Sequence, residues 1–200
     1  MLQAPSPRPL SRRYNEARSL NPPSPRLETD RLILRPPTAE DVAPWMDFLA
    51  DAEAQRFLGC AQPPPLAWRQ ICTMTGAWTV RGFSMFSVIE KATGRWVGRL
   101  GPWQPEGWPG TEVGWGLVRD AWGKGYATEG AAAAIDWAFD VLGWEEVIHT
   151  IEPANVNSTA VARRLGSEIL RQAVLPAPLN LAVDVWGQSR AQWWRTRRSA

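Results

Sequence analysis

A mixed α/β domain is what this sequence predicts, and three observations carry the prediction. Short runs rich in β-branched and aromatic residues alternate with helix-length segments. The tetrapeptide "KATG" joins two such runs as a hairpin turn. A glycine-interrupted run leads through "WGKGYAT" into the longest alanine-rich stretch. Two hundred residues are enough for one domain with a sizeable core.

Residues 1–26 stand apart from this pattern. They carry five arginines against one acid, Glu16, with frequent proline and serine and no apolar periodicity. A disordered basic tail is expected there. No amphipathic helix accompanies the arginines, which favours a plain tail over an organelle transit peptide, and no apolar h-region points to secretion.

The domain is expected over 27–190. "RLILR" (31–35) reads as a strand ended by Pro36-Pro37. Thr38 and Asp41 form a capping-box pattern opening a helix through about Leu49, with Pro44 bending it or delaying its start. After a proline-rich turn at 62–65, a second helix is expected over roughly 66–80. "GFSMFSVIE" and "RWVGRLGPW" make the hairpin, with Gly94 at its turn.

"TEVGWGLV" (111–118) is another strand, and its Gly114 and Gly116 signal a bulge or a close approach by backbone or ligand. A helix then runs to about Leu142 and stops at Gly143. "EVIHTIE" (146–152) is a strand, and Asn157 or Ser158 caps a short helix ending at Gly166. Strands near 168–175 and 180–187 complete the order, and the basic end, 191–200, is expected to be frayed.

Composition excludes several functions. A net charge of +2 is too small for nucleic acid to be the main partner. Cys60 and Cys72 are the only cysteines and lack CxxC spacing, so reduced thiols in a cytoplasmic protein are expected, with no zinc site. His149 is the only histidine, which removes HExxH metal sites and any histidine-based catalytic pair not built on it. No metal is expected, and no run is long enough to span a membrane. Thirteen tryptophans imply aromatic-walled surfaces as well as a core.

"WGKGYAT" admits several readings. It is not a Walker A loop, because Val118 stands where the first glycine belongs and Gly125 stands in the Ser/Thr position. It is a poor dinucleotide fingerprint, with Thr128 in the third glycine position. A bare glycine turn opening a helix is the plain alternative. Its position favours more: unpaired amides at a helix N-terminus attract phosphate or pyrophosphate, and glycines let a ligand approach the chain.

With these residues in place the chain resembles the GCN5-related N-acetyltransferase (GNAT) superfamily, and within it the RimJ/RimL type, from about Leu27 to Trp194. "LETDRLILRPPTAED" resembles the opening strand and helix, and "EVGWGLVRDAWGKGYATEG" the strand and acetyl-CoA loop. Trp122 takes the loop's Q/R position, while Gly125 and Ala127 match its glycine and small-residue positions. "EPANVNSTAVARRLGS" resembles the segment meeting the pantetheine arm, and "DVWGQSRAQW" the closing strand. Ala162 replaces a tyrosine acid found in many members, and Ser167 a common phenylalanine.

The resemblance implies a mostly antiparallel sheet with two splayed parallel strands, 111–118 and 146–152, helices on both faces, and acetyl-CoA between the splayed strands. It implies that the amides of Gly123, Lys124, Gly125, Tyr126, Ala127 and Thr128 hold the pyrophosphate, beside Trp122. Leu117 and Val118 would offer main-chain bonds to pantetheine, and Asn155 would hold that arm or orient Ser158. Ser158 would protonate the leaving thiolate, and an N–H near Trp115 would polarise the thioester carbonyl. Glu112 is the candidate base, acting through water, with a solvent-facing strand carboxylate as the alternative. Trp103 and Trp108 are candidate acceptor contacts, or simply core. His149 reads as a satisfied core histidine.

Direct attack needs a neutral amine. An α-amine gives up its proton at pH 7 for about 1 kcal/mol, whereas a lysine costs about 4.6. The expected acceptors are therefore a peptide N-terminus or a small amine, with a ribosomal protein among the candidates and a homodimer as candidate assembly. Two alternatives stay open at this point: a non-catalytic acyl-CoA sensor of the same fold, and a ribosome- or RNA-associated protein using its Arg-rich ends.

Overall fold

The computed structural model describes residues 25–198, so the expected tail lies outside the described residues except at Pro25 and Arg26. Strands β1 (Leu27–Glu28) and β2 (Leu32–Arg35) pair antiparallel. Pro36-Pro37 then breaks the ladder, and the Thr38 N–H donates to Asp41 Oδ2 at 2.8 Å. Asp41 is buried, and Arg35 clamps it with two bonds of 2.6 and 2.8 Å. This box leads through a 3₁₀ turn (Ala39–Asp41) into α1 (Val42–Ala50). Pro44 falls in the first turn of α1, where its missing N–H has no intrahelical acceptor, so the α-helix starts late.

Helix α2 (Pro64–Arg81) begins two residues earlier than expected, with prolines in its first turn, and ends at Gly82 (φ +78°). β3 (Phe86–Glu90) and β4 (Trp96–Trp103) form the hairpin, and β5 (Glu112–Leu117) follows on the other side of β4. Then come α3 (Tyr126–Asp140), β6 (Glu146–Ile151) and α4 (Val156–Arg164). Asn155 caps α4 through the Ser158 N–H, so the expected cap at Asn157 or Ser158 is corrected. β7 (Glu168–Val174) and β8 (Ala182–Ser189) close the sheet.

The sheet order is β1-β2-β3-β4-β5-β6-β8-β7, antiparallel except where β5 meets β6. That one parallel contact follows from the α3 crossover. One face packs Leu32, Leu34, Phe86 and Leu100 beneath Ala131, Ala134 and Ile135 of α3. The small residues let α3 lie close: a side chain at Gly130 would stand 3.1 Å from Leu100. A second cluster joins Trp45, Phe48 and Leu49 of α1 and Ile71 and Met74 of α2 to Ile89 and Trp96.

Two expectations are corrected. Up to the last described residue, the end expected to be frayed is helix α5 (Arg190–Arg198). Trp193 is 3% exposed and its indole N–H donates to Asp136 at 2.7 Å, which fastens α5 to α3. Gly114 and Gly116 mark no bulge. They make room for Met85, Leu58 and Phe48, each within 3.1 Å of the position a Cβ would take. Within the paired strands the positive-φ glycines lie in β4, at Gly98 and Gly101.

Candidate active site

β5 pairs with β4 over six residues but with β6 at a single pair, Glu112 with Ile148. The Ile148 N–H donates to Thr111 O at 2.9 Å. Regular parallel pairing would next join the Thr150 N–H to the Val113 carbonyl. Two side chains take those groups instead. The Thr150 N–H donates to Glu112 Oε1 at 3.1 Å, and His149 Nδ1 donates to Val113 O at 2.7 Å. The ladder ends there and the strands part.

Main-chain groups of alternate β5 residues point to opposite neighbours. The Val118 N–H donates to Val97 O at 3.0 Å, which places Gly116 and Gly114 toward β4 as well. Val113, Trp115 and Leu117 therefore face the gap. Of the two residues expected to bond pantetheine, Val118 has its N–H on β4, and its carbonyl accepts from the Ala121 N–H at 3.0 Å. Leu117 keeps its N–H toward the gap, while its carbonyl accepts from the Trp122 indole at 2.8 Å. Trp122 thus ties the loop to the end of β5.

Glu112 is buried, not a solvent-facing strand carboxylate. Burial pushes its carboxyl up to about 6, against the opposing pull of bonds from Thr150 and from the Trp108 indole and of the Arg99 charge. It is ionised at neutral pH yet more basic than an exposed carboxylate. Trp103 pairs with it across β4 and β5. Glu112, Trp103, Trp108, Trp115, Asn155 and Ser158 all line one cavity of about 510 Å³. Its walls come from the α1–α2 connection, α2, the sheet, the β4–β5 connection, the start of α4 and the loop between β7 and β8.

The Trp115 indole N–H donates to Ser158 Oγ at 3.2 Å, leaving the Ser158 hydroxyl proton free to be donated. Trp115 also packs 4.8 Å from the His149 ring. His149 is satisfied at both nitrogens: a carbonyl only accepts, so Nδ1 carries the proton, and Nε2 receives the Ser167 hydroxyl at 3.1 Å. Burial pulls it down to about 4. The Val113 carbonyl fixes this tautomer, and Ser167, in place of the common phenylalanine, satisfies the other nitrogen. Ala162 is fully buried against Ile151 and Trp186, so no hydroxyl stands at the expected tyrosine position.

At the other end of the gap, Gly123 (φ +72°) and Gly125 (φ +80°) shape the loop, and Gly125 is the N-cap of α3. No side chain caps that helix. The Glu129 N–H is the first to reach back, to Gly125 O at 3.0 Å, so the amides of Tyr126, Ala127 and Thr128 precede the ladder and lack intrahelical acceptors. Space around Gly123 is open. Uncapped amides and open space fit a pyrophosphate. Lys124 lies 3.8 Å from Glu90, its carbonyl held by Arg31 at 2.8 Å.

Several residues escaped the sequence reading. Thr150 and Arg31 gave no signal. Arg99 gave one, a lone charge in an otherwise apolar strand run: it is 6% exposed, lines the cavity, and its Nε has no hydrogen-bond partner. Among the described residues no three or more His, Cys, Asp or Glu gather as a metal site, and no helix is long and apolar enough to cross a membrane.

The acetyltransferase (GNAT) domain family matches residues 31–168. YkkB of Bacillus subtilis, an uncharacterized protein, is 34% identical over 87 residues, 42% of this chain and 51% of that protein, so the chain spans about half of YkkB's length. An uncharacterized N-acetyltransferase, p20 of Bacillus licheniformis, is 28% identical over 142 residues, covering 70% of this chain and 80% of p20. The crystal structure of an acetyltransferase from Agrobacterium tumefaciens superposes with a TM-score of 0.75 at 29% identity, covering 87% of this chain and 99% of that one. The chain belongs to the GNAT acetyltransferase family, which supports acetyl transfer as its function and acetyl-CoA as the donor.

Proposed function

We propose that this chain moves the acetyl group of acetyl-CoA to a primary amine by direct attack, the acceptor being a protein or peptide N-terminal α-amine or a small-molecule amine. One observation carries the reading: the β5–β6 ladder stops after a single pair, opening a gap with uncapped helix amides at one end and a buried carboxylate in a cavity at the other. A long donor with an anionic head and a reactive tail suits such a gap.

In this reading the amides from Gly123 to Thr128 hold the pyrophosphate, and the Leu117 N–H bonds the pantetheine. The Trp115 N–H, facing the gap, polarises the thioester carbonyl without reorganisation at the moment of attack. Glu112 takes the amine's proton through water. The nitrogen–carbon bond forms, the carbon–sulfur bond breaks, and Ser158 returns a proton to the thiolate. Asn155 orients Ser158 by accepting its N–H. Positioning supplies much of the rate, which suits a site with one mild base.

The RimJ/RimL type is the branch favoured here, on the tryptophan at 122 and the segment from Glu152 to Ser167. A ribosomal protein is then a candidate acceptor, in a cytoplasmic setting. Titration calorimetry with coenzyme A, followed by free-thiol release across a panel of peptides and small amines, tests the whole. Binding with turnover is the expected result. Binding without turnover on any amine would leave a sensor, and no binding would end the proposal.

A further inference from the structure

The cavity around Glu112 contains a cation that no described residue pairs with. Resting on the acetyl-transfer reading, we infer that the acceptor is a primary amine that also carries a carboxylate, and that Arg99 receives that carboxylate. Arg99 stands in β4 opposite Gly116, with 6% of its surface exposed. Its Nε is buried and donates to nothing, although the residue lines the cavity. A buried guanidinium with an idle donor is costly, and buried arginines are ordinarily met by a carboxylate that matches their planar fork.

No described residue supplies that partner. Glu112 is the carboxylate whose charge acts on Arg99, yet its own hydrogen bonds come from Thr150 and Trp108, and it forms no ion pair with the guanidinium. Among the described lining residues Arg99 is the only lysine or arginine, whereas Glu112 and Glu152 are carboxylates and Glu106 is already paired with Arg81. Such a lining suits a ligand with an amine at one end and one negative group at the other. The rings of Phe57, Trp103 and Trp108 ask for an apolar body between the two. A polyamine would set a cation against Arg99, and a neutral carbonyl would fill a donor without balancing the charge.

The test uses a matched pair of amines, para-aminomethylbenzoate and its carboxamide, with thiol release from acetyl-CoA by wild type and by Arg99→Gln. The expected result is a preference for the carboxylate of about tenfold or more in kcat/KM, the weight of one charge-assisted hydrogen bond. In Arg99→Gln the ratio falls toward one, mainly through KM. Any difference in amine basicity enters both proteins equally, so it cancels when the wild-type ratio is divided by the Arg99→Gln ratio. A wild type that treats both amines alike, or a variant that keeps the preference, overturns the inference.

A second measurement separates this from the transfer reading. Calorimetry of para-methylbenzoate, which has no amine, into the protein with coenzyme A present reports the carboxylate subsite alone. Binding by wild type that Arg99→Gln loses, while its coenzyme A affinity is kept, upholds the subsite even if no amine is acetylated. Equal binding, or none, by both proteins overturns it.

Discussion

Glu112 accepts the main-chain N–H of Thr150 at 3.1 Å, and that bond replaces a rung of the β5–β6 ladder. The same carboxylate also receives the Thr150 hydroxyl at 3.0 Å. One side chain thus helps to part the strands and, in the proposed function, to deprotonate the acceptor that enters beside them. His149 completes the parting from the other strand by occupying the Val113 carbonyl. Specific polar contacts thus line the parting of the two strands.

If Glu112 is the base, the acid limb of wild-type kcat/KM should fall near pH 6, where burial sets its ionisation. Glu112→Gln should lose that limb and, at pH 7, about a hundredfold of turnover. At pH 9 the deficit should shrink, because more of the amine is already neutral. A pH-rate series on both proteins checks this, and a uniform loss at every pH would make Glu112 purely structural.

His149 should make stability depend on pH. Its folded value is about 4, below the ordinary 6.5. Between those values the unfolded chain binds the extra proton, so its stabilising contribution is full above about pH 6.5 and is lost as pH falls toward 4. The loss is on the order of 3 kcal/mol. Glu112 contributes with the opposite sign, its folded value being raised, and does so in wild type and variant alike. His149→Phe should therefore show a shallower fall on acidification, and at neutral pH should lose about 1–3 kcal/mol from the unpaired Val113 carbonyl. Urea denaturation at pH 7 and pH 4.5 measures both, and parallel pH dependences would assign the slope to another group.

Gly125→Glu should abolish measurable coenzyme A binding, with at least a hundredfold loss of affinity. The new carboxylate would stand at the α3 N-terminus, where the proposed pyrophosphate sits. Position 125 has φ +80°, so the variant also bears a strain of about 1–2 kcal/mol. Calorimetry paired with a thermal melt separates the two effects. Unchanged affinity in a folded variant counts against the loop as the pyrophosphate site.

Trp193→Ala should destabilise the domain by about 3–5 kcal/mol, since it empties a buried site and leaves Asp136 without its indole donor. Denaturant unfolding gives the value directly. A midpoint equal to that of wild type would show that α5 is an accessory to the fold.

Much of the fold is written in local pattern. The Thr38–Asp41 box, the Gly94 turn and the glycines at 123 and 125 each act within a few neighbouring residues, and each appears where the sequence places it. The α5 helix did not, because its basic surface hides one buried tryptophan whose partners lie in α3. At the site, the burial of Glu112 and the partners of His149 were equally invisible, although its place as a satisfied core histidine was not, since those contacts depend on β6 lying beside β5.

By itself the sequence determined the order of strands and helices from β2 to β8 and the glycine loop at the α3 N-terminus, because turn, cap and periodicity are short-range effects of backbone sterics and hydrogen bonding. Only the tertiary structure decided which charges are deprived of water. Arg99, Glu112 and His149 look alike on paper as isolated polar residues in strands, and their different ionisation follows from burial against neighbours far away in the chain.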